Sequence, residues 1–155
     1  IVSPSAGGLA DWIFPMAATR PRLAKSHYEL LAALRHALRR FQRFSSDAAL
    51  AAGLTPQQHQ ALLVIKGFPG RDFVSVGELA EQLHLRHHSA VGLVNRLVQR
   101  QVARRTPSVT DRRQQEVRLT AGGEKLLGQL STAHLRELRA LRPELRRLLE
   151  SMPAD

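Results

Sequence analysis

Apolar positions along the chain fall into two periods, one helical and one strand-like, and the order in which they alternate outlines the fold. From Arg22 to Phe44 the residues Ala24, Tyr28, Leu31, Leu34, Leu38, Phe41 and Phe44 recur at threes and fours, with Arg35, Arg39, Arg40 and Arg43 on the other faces. This predicts a long amphipathic helix that stops near Ser45-Ser46-Asp47. A second helix opens at Thr55-Pro56-Gln57-Gln58, where Thr55 can cap, Pro56 suits the first helical position and Gln58 closes a capping box, and it runs to about Lys66. The turn-rich stretch Gly67-Phe68-Pro69-Gly70-Arg71-Asp72 leads to a brief β-like run, Phe73-Val74-Ser75. A third helix follows, capped by Ser75 with Glu78 and buried through Val76, Leu79, Ala80 and Leu83.

After His84-Leu85-Arg86 a fourth helix is predicted from about His87 to Gln101, with Ala90, Leu93, Val94 and Leu97 facing inward. Two short helices joined by a tight turn read as a helix-turn-helix. The period then changes to two. Val102 to Thr106 and Gln115 to Leu119 are β-compatible and enclose a polar, basic tip that ends in Asp111-Arg112-Arg113, the pattern of a β-hairpin wing. Thr120-Ala121-Gly122-Gly123 ends the strand and starts a long helix marked by Leu127, Leu130, Leu138, Leu141, Leu145, Leu148 and Met152, within which Pro143 is expected to mark a new helical start.

The predicted fold class is therefore mainly α with a small β-hairpin wing: a winged helix-turn-helix at 55–119, flanked by dimerisation helices at 22–54 and 120–155, in one domain spanning 22–155. Residues 1–21 are expected to form an extension outside it. The flanking helices carry more apolar stripe than a small core can cover, which predicts an obligate homodimer.

Composition sharpens this picture. The 155 residues are 43% hydrophobic, enough for one real core. Cysteine is absent, which excludes disulfides and thiolate metal sites on this chain. No apolar run reaches bilayer length, and the patch Leu9 to Phe14 lacks a basic leader and is interrupted by Asp11, so a cytoplasmic protein without membrane association is expected. The net charge of +10 is uneven: Ile1–Glu81 contributes +3, Gln82–Arg118 +6 and Leu119–Asp155 +1. Between Gln82 and Thr110 there is no carboxylate, and five arginines stand there: Arg86, Arg96, Arg100, Arg104 and Arg105. Such a localised field suits a polyanion, because neutralising phosphates releases condensed counterions.

The order of elements resembles the multiple antibiotic resistance regulator (MarR) family over roughly Leu23 to Leu149. Asp111-Arg112-Arg113 followed by Leu119-Thr120-Ala121-Gly122-Gly123 is similar to the family's wing-tip D-x-R and L-T-x-x-G. Leu83 to Leu97, ending in Leu93-Val94-Asn95-Arg96-Leu97, is similar to its recognition-helix segment. The resemblance implies a dimeric winged-helix transcription factor, mostly a repressor of nearby genes and often released from DNA by a small anionic or aromatic compound. Three features depart from the family pattern. Gln101 stands where glycine is common, Gly92 where a polar or basic residue is common, and His87 and His88 form an unusual pair at the helix start.

With Ala90, Leu93, Val94 and Leu97 inward, the face toward a major groove carries His87, His88, Ser89, Val91, Gly92, Asn95, Arg96 and Gln99. His88, Ser89 and the first backbone amides can meet phosphates or base edges, Val91 a thymine methyl, and Asn95 or Arg96 bases or backbone. Arg86, Arg104 and Arg105 are further candidate DNA-binding residues, with Arg104 expected on phosphate. At the wing the resemblance makes Arg113 the minor-groove residue and puts Arg112 on phosphate, with Asp111 able to hold a guanidinium. It also places an effector pocket between the dimerisation helices and the DNA-binding unit, for which Tyr28, Arg35, His36 and His59 are candidate lining residues. His84, His87 and His88 lie close enough in sequence to raise a metal site, but no carboxylate or cysteine adjoins them and phosphate suits them equally. His27 and His134, like His36 and His59, are scattered and read equally well as surface or packing residues.

No Ser/His/Asp arrangement, paired-carboxylate motif or glycine-rich phosphate loop is recognisable, so neither catalysis nor a cofactor is expected. The function expected is a sequence-specific, ligand-responsive repressor that binds double-stranded DNA as a homodimer at a pseudo-palindromic operator. The alternative is an architectural protein that coats DNA without regard to sequence.

Overall fold

The computed structural model describes residues 23–108 and 115–152. Within them the chain forms α1 (Lys25–Ala51), α2 (Pro56–Gly67), β1 (Phe73–Ser75), α3 (Val76–Gln82), α4 (His87–Gln99), β2 (Ala103–Pro107), β3 (Gln115–Leu119) and α5 (Ala121–Glu150). The strands make one antiparallel sheet in the order β1-β3-β2. Val74 pairs with Val117, and Ala103 to Pro107 pair with Leu119 to Gln115. This is a mainly helical winged helix-turn-helix.

Both expected capping boxes are formed. The Thr55 hydroxyl accepts from the Gln58 amide at 3.2 Å while Gln58 Oε1 accepts from the Thr55 amide at 2.9 Å, and Ser75 and Glu78 repeat the exchange at 3.2 and 2.8 Å. The core gathers Leu62 and Ile65 from α2, Leu79 from α3, Leu93, Val94 and Leu97 from α4, and Val74 and Val117 from the sheet, all but closed to solvent. Leu127 and Leu130 bring the first third of α5 into the same cluster. The two short helices of the motif thus pack on each other within a common apolar interior.

Two expectations at helix boundaries are corrected. α1 does not stop at Ser45-Ser46-Asp47 but continues to Ala51, because Ala49 is fully buried in the core and the Ser45 hydroxyl is engaged by His134, so tertiary packing overrides weak local propensity. It ends instead at Gly53 (φ 74°), where the Gly53 and Leu54 amides donate to Leu50 and Ala49 in a Schellman cap. Pro143 does not begin a new helix but lies inside α5. It deprives only the Arg139 carbonyl of an amide, and Arg139 is exposed, where water can substitute. Buried Leu141 and the 3.1 Å pair between Glu144 and Arg40 of α1 hold the helix on either side of the proline.

α1 and α5 run past each other in opposite directions, with Arg40 beside Glu144 and Ser45 beside His134. Their outer faces are open: Tyr28, Leu31, Leu38 and Leu50 on α1 and Leu135, Leu138 and Leu149 on α5 are each 40% exposed or more. A groove of about 660 Å³ along α5 is lined by four of its leucines, Leu135, Leu138, Leu145 and Leu149. No helix among the described residues is long and apolar enough to cross a membrane.

Candidate nucleic-acid interface and the adjoining cavity

α4 presents the two faces its sequence requires. Ala90, Leu93, Val94 and Leu97 are at most 1% exposed, whereas His87, His88, Ser89, Asn95, Arg96 and Gln99 are open to solvent and Val91 and Gly92 half-buried. No side chain caps its amino terminus at Arg86, so the first-turn amides lack that partner and a positive helix end faces outward. Gly92 leaves a gap on the outer face that the Arg96 guanidinium borders, 3.5 Å from where a Cβ would stand.

Both helices of the motif end in strained caps. His84 follows α3 with φ 51° and Gln101 follows α4 with φ 58°, each in the left-handed region that favours glycine. The bonding around each is that of a Schellman cap: His84 to Glu81 and Leu85 to Ala80, Gln101 to Val98 and Val102 to Leu97. The turn at Gln101 therefore forms without glycine by accepting an unfavourable backbone conformation. It is held from outside by the Thr120 hydroxyl, which donates to the Gln101 carbonyl at 2.6 Å.

The wing sorts its arginines. Side chains alternate across a strand, so Arg104 shares a face with its partner Arg118 and with Phe73, while Arg105 shares the opposite, inward face with Val117 and Val74. Arg118 lies 4.1 Å above the Phe73 ring and pairs with Asp72 at 3.1 Å and Glu116 at 2.9 Å, so its charge is already engaged within the fold. Arg104 is exposed on that same side. Arg105 instead reaches α4, where its Nη2 donates to Asn95 Oδ1 at 2.7 Å. The expected wing-tip residues Asp111, Arg112 and Arg113 lie outside the described residues.

A cavity of about 560 Å³ opens between α1, α2 and α5. Its wall includes Phe41 and Ser45 of α1, His59 and Leu63 of α2, and His134 and Leu138 of α5. The two imidazoles meet at a 35° tilt with centroids 4.6 Å apart, and Phe41 and Phe44 meet His134 edge-on at 5.9 and 5.5 Å. His134 is fully engaged, with Nδ1 2.6 Å from the Leu130 carbonyl and Nε2 2.8 Å from the Ser45 hydroxyl. His59 Nε2 is buried with no hydrogen-bond partner, and burial, reinforced by His134, holds its imidazole below the ordinary pKa of 6.5.

Of the four residues expected to line an effector pocket, His59 alone stands on this cavity. Arg35 borders a shallow depression with Leu38, Arg39 and Gln42, and Tyr28 and His36 are exposed on α1, away from it. Sequence reasoning did not single out His134, Phe41 or Ser45 for the cavity. The regular leucine spacing around position 134 was the one available signal, since it places His134 among apolar neighbours on the inner face of α5. His84, His87 and His88 are exposed, and no group of three metal-ligating side chains is gathered among the described residues.

Residues 52–114 match the family model of the MarR family. Solved structures with a similar fold include AbsC of Streptomyces coelicolor, a MarR family transcriptional regulator, at 17% identity and a TM-score of 0.62, with 83% of this chain and 98% of that one covered. RV1404 of Mycobacterium tuberculosis is similar at 23% identity and a TM-score of 0.61, covering 84% of each chain. A mutant MepR of S. aureus bound to an oligodeoxyribonucleotide aligns at 17% identity and a TM-score of 0.57, over 83% of this chain and 85% of that one. Among curated proteins, none matches the sequence significantly.

Proposed function

We propose that this chain, a member of the MarR family across its winged helix at residues 52–114, is a sequence-specific DNA-binding transcriptional regulator that acts as a homodimeric, ligand-responsive repressor. The observation that carries this reading is α4. A helix whose inner stripe is wholly buried and whose outer face offers His87, His88, Ser89, Asn95, Arg96 and Gln99, beside a basic wing, suits insertion into a major groove. The oligonucleotide bound to the similarly folded MepR supports it.

The open apolar faces of α1 and α5 support dimerisation, since a second copy would cover them. A two-fold dimer would set two recognition helices on half-sites about 10 bp apart. The cavity between α1, α2 and α5 supports an effector site, and a small, largely apolar compound with one polar group fits a wall of aromatic and leucine side chains around an unpartnered imidazole. Such a compound would act by favouring one spacing of the recognition helices over another.

Binding of the full chain to a selected operator in the presence of excess random duplex, with sedimentation of the free protein at micromolar concentration, tests the reading. A dimer that prefers one pseudo-palindrome by orders of magnitude is the expected result. Equal affinity for the random competitor would identify a sequence-indifferent architectural protein instead, and a monomer would remove the half-site geometry.

A further inference from the structure

Of the two consecutive arginines that open the wing, one alone touches the recognition helix. Arg105, on the inward face of β2, donates its Nη2 to Asn95 Oδ1 at 2.7 Å. An arginine can only donate, so this bond fixes the orientation of the amide: the oxygen faces the wing, and the NH₂ group is left as the free polar edge. Asn95 stands on the exposed face of α4, three residues beyond Gly92, where the absent side chain lets the backbone approach a partner closely.

We infer that Arg105 is a specificity-determining residue that commits Asn95 to donating, so that the pair reads guanine rather than adenine in the major groove. The inference rests on the reading that α4 enters that groove. A free asparagine offers an acceptor and a donor side by side, which matches adenine, with its N6 amino group and N7. With a guanidinium on its oxygen, Asn95 turns into one end of a row of N–H groups, continued by the remaining donors of Arg105. Guanine answers such a row with two acceptors, O6 and N7, whereas adenine would set its own amino group against it. Arg104, on the far side of the sheet, has no part in this contact.

The test is selection from a randomised duplex pool by the full-length protein, comparing the parent with Arg105→Ala, Asn95→Ala, the double variant and Arg104→Ala, each checked for the parent's circular dichroism. The base pair read by Asn95 is the one whose preference Asn95→Ala abolishes, and guanine is expected there in the parent. Arg105→Ala should lower that preference by about tenfold and admit adenine, the double variant should match Asn95→Ala at that position, and Arg104→Ala should leave base preference unchanged. An Arg105→Ala protein that weakens every sequence alike while keeping the preference overturns the inference and leaves the regulator reading intact, as does a parent that selects adenine there. A parent that enriches no sequence overturns both.

Discussion

The imidazoles of His59 and His134 meet 4.6 Å apart, joining α2 to α5 in the interior with only one of the two rings fully hydrogen-bonded. His59 is held neutral below its ordinary pKa, so folding favours its deprotonated form. The linked stability is therefore complete above pH 6.5 and declines as the pH falls below it, because the unfolded chain then binds the proton more readily. The slope cannot exceed about 1.4 kcal/mol per pH unit for one group. Urea midpoints measured from pH 7.5 to 5 should fall with acid in the parent and be flatter in His59→Leu. An unchanged slope in that variant would remove His59 as the source.

A second acid window involves Glu78. Burial alone would raise its carboxyl, but the Ser75 amide, the Arg71 side chain and the Ser75 hydroxyl together hold it below its ordinary 4.5. Its contribution is present above that value and is lost as the pH drops through the lower folded-state pKa. Glu78→Gln should leave stability in strong acid, where the parent's carboxyl is itself protonated, close to the parent's and lower it at neutral pH, as read by thermal unfolding across the range.

The two left-handed caps predict gains from glycine. A non-glycine residue in this region costs roughly 1–2 kcal/mol, part of which glycine gives back through the greater freedom of its unfolded chain. His84→Gly and Gln101→Gly should each stabilise by about 0.5–1 kcal/mol in denaturant titrations. A loss at either position would mean that its side chain makes a contact worth more than the strain.

Two glycines of α5 should respond with opposite signs to alanine. At Gly123 a Cβ would stand 1.9 Å from the Val102 carbonyl oxygen, so Gly123→Ala must displace backbone and should cost on the order of 1–3 kcal/mol. At Gly128 nothing lies within 4 Å of the added carbon, and Gly128→Ala should gain up to about 1 kcal/mol from helix propensity alone. Paired unfolding curves decide both.

For the proposed DNA complex, Arg96→Ala should weaken all sequences alike and lower the salt dependence by about one unit of slope, the behaviour of a phosphate contact. Arg113→Ala should lower affinity while shifting preference at A·T-rich flanks, since groove width draws that side chain. Operator titrations at several salt concentrations separate the two. Undiminished affinity of Arg113→Ala at physiological salt would remove Asp111-Arg112-Arg113 from the proposed DNA contact.

What could be read from sequence was what local physics decides. The stripe Ala90, Leu93, Val94 and Leu97 has one way to hide, and Thr55 with Gln58 or Ser75 with Glu78 mark helix starts through bonds within four residues. The expectation at Ser45-Ser46-Asp47 failed because the residue that stabilises a helix there, His134, comes from the far end of the chain. Pro143 misled for a related reason: its local cost is real, but packing around Leu141 and the Arg40–Glu144 pair offsets it. The leucine spacing turns His134 to the inner face of α5, but that His59 is the residue it meets there is written in neither local sequence. The sorting of Arg104 from Arg105 was legible in principle, since strand alternation alone sends neighbours to opposite faces, but which face meets α4 depends on how the sheet packs.

The meeting of α5 with the end of α4 has a mechanical consequence. The Thr120 amide donates to the Val102 carbonyl, the Thr120 hydroxyl holds the carbonyl of Gln101, and Gly123 lies against Val102 with no room for a methyl group. The root of α5 is thereby pinned to the turn that follows α4, while His134, eleven residues along the same rod, forms part of the cavity wall about 16 Å away. The wing joint and the cavity wall thus belong to one continuous helix, and the missing side chain at Gly123 is what lets its root sit against Val102.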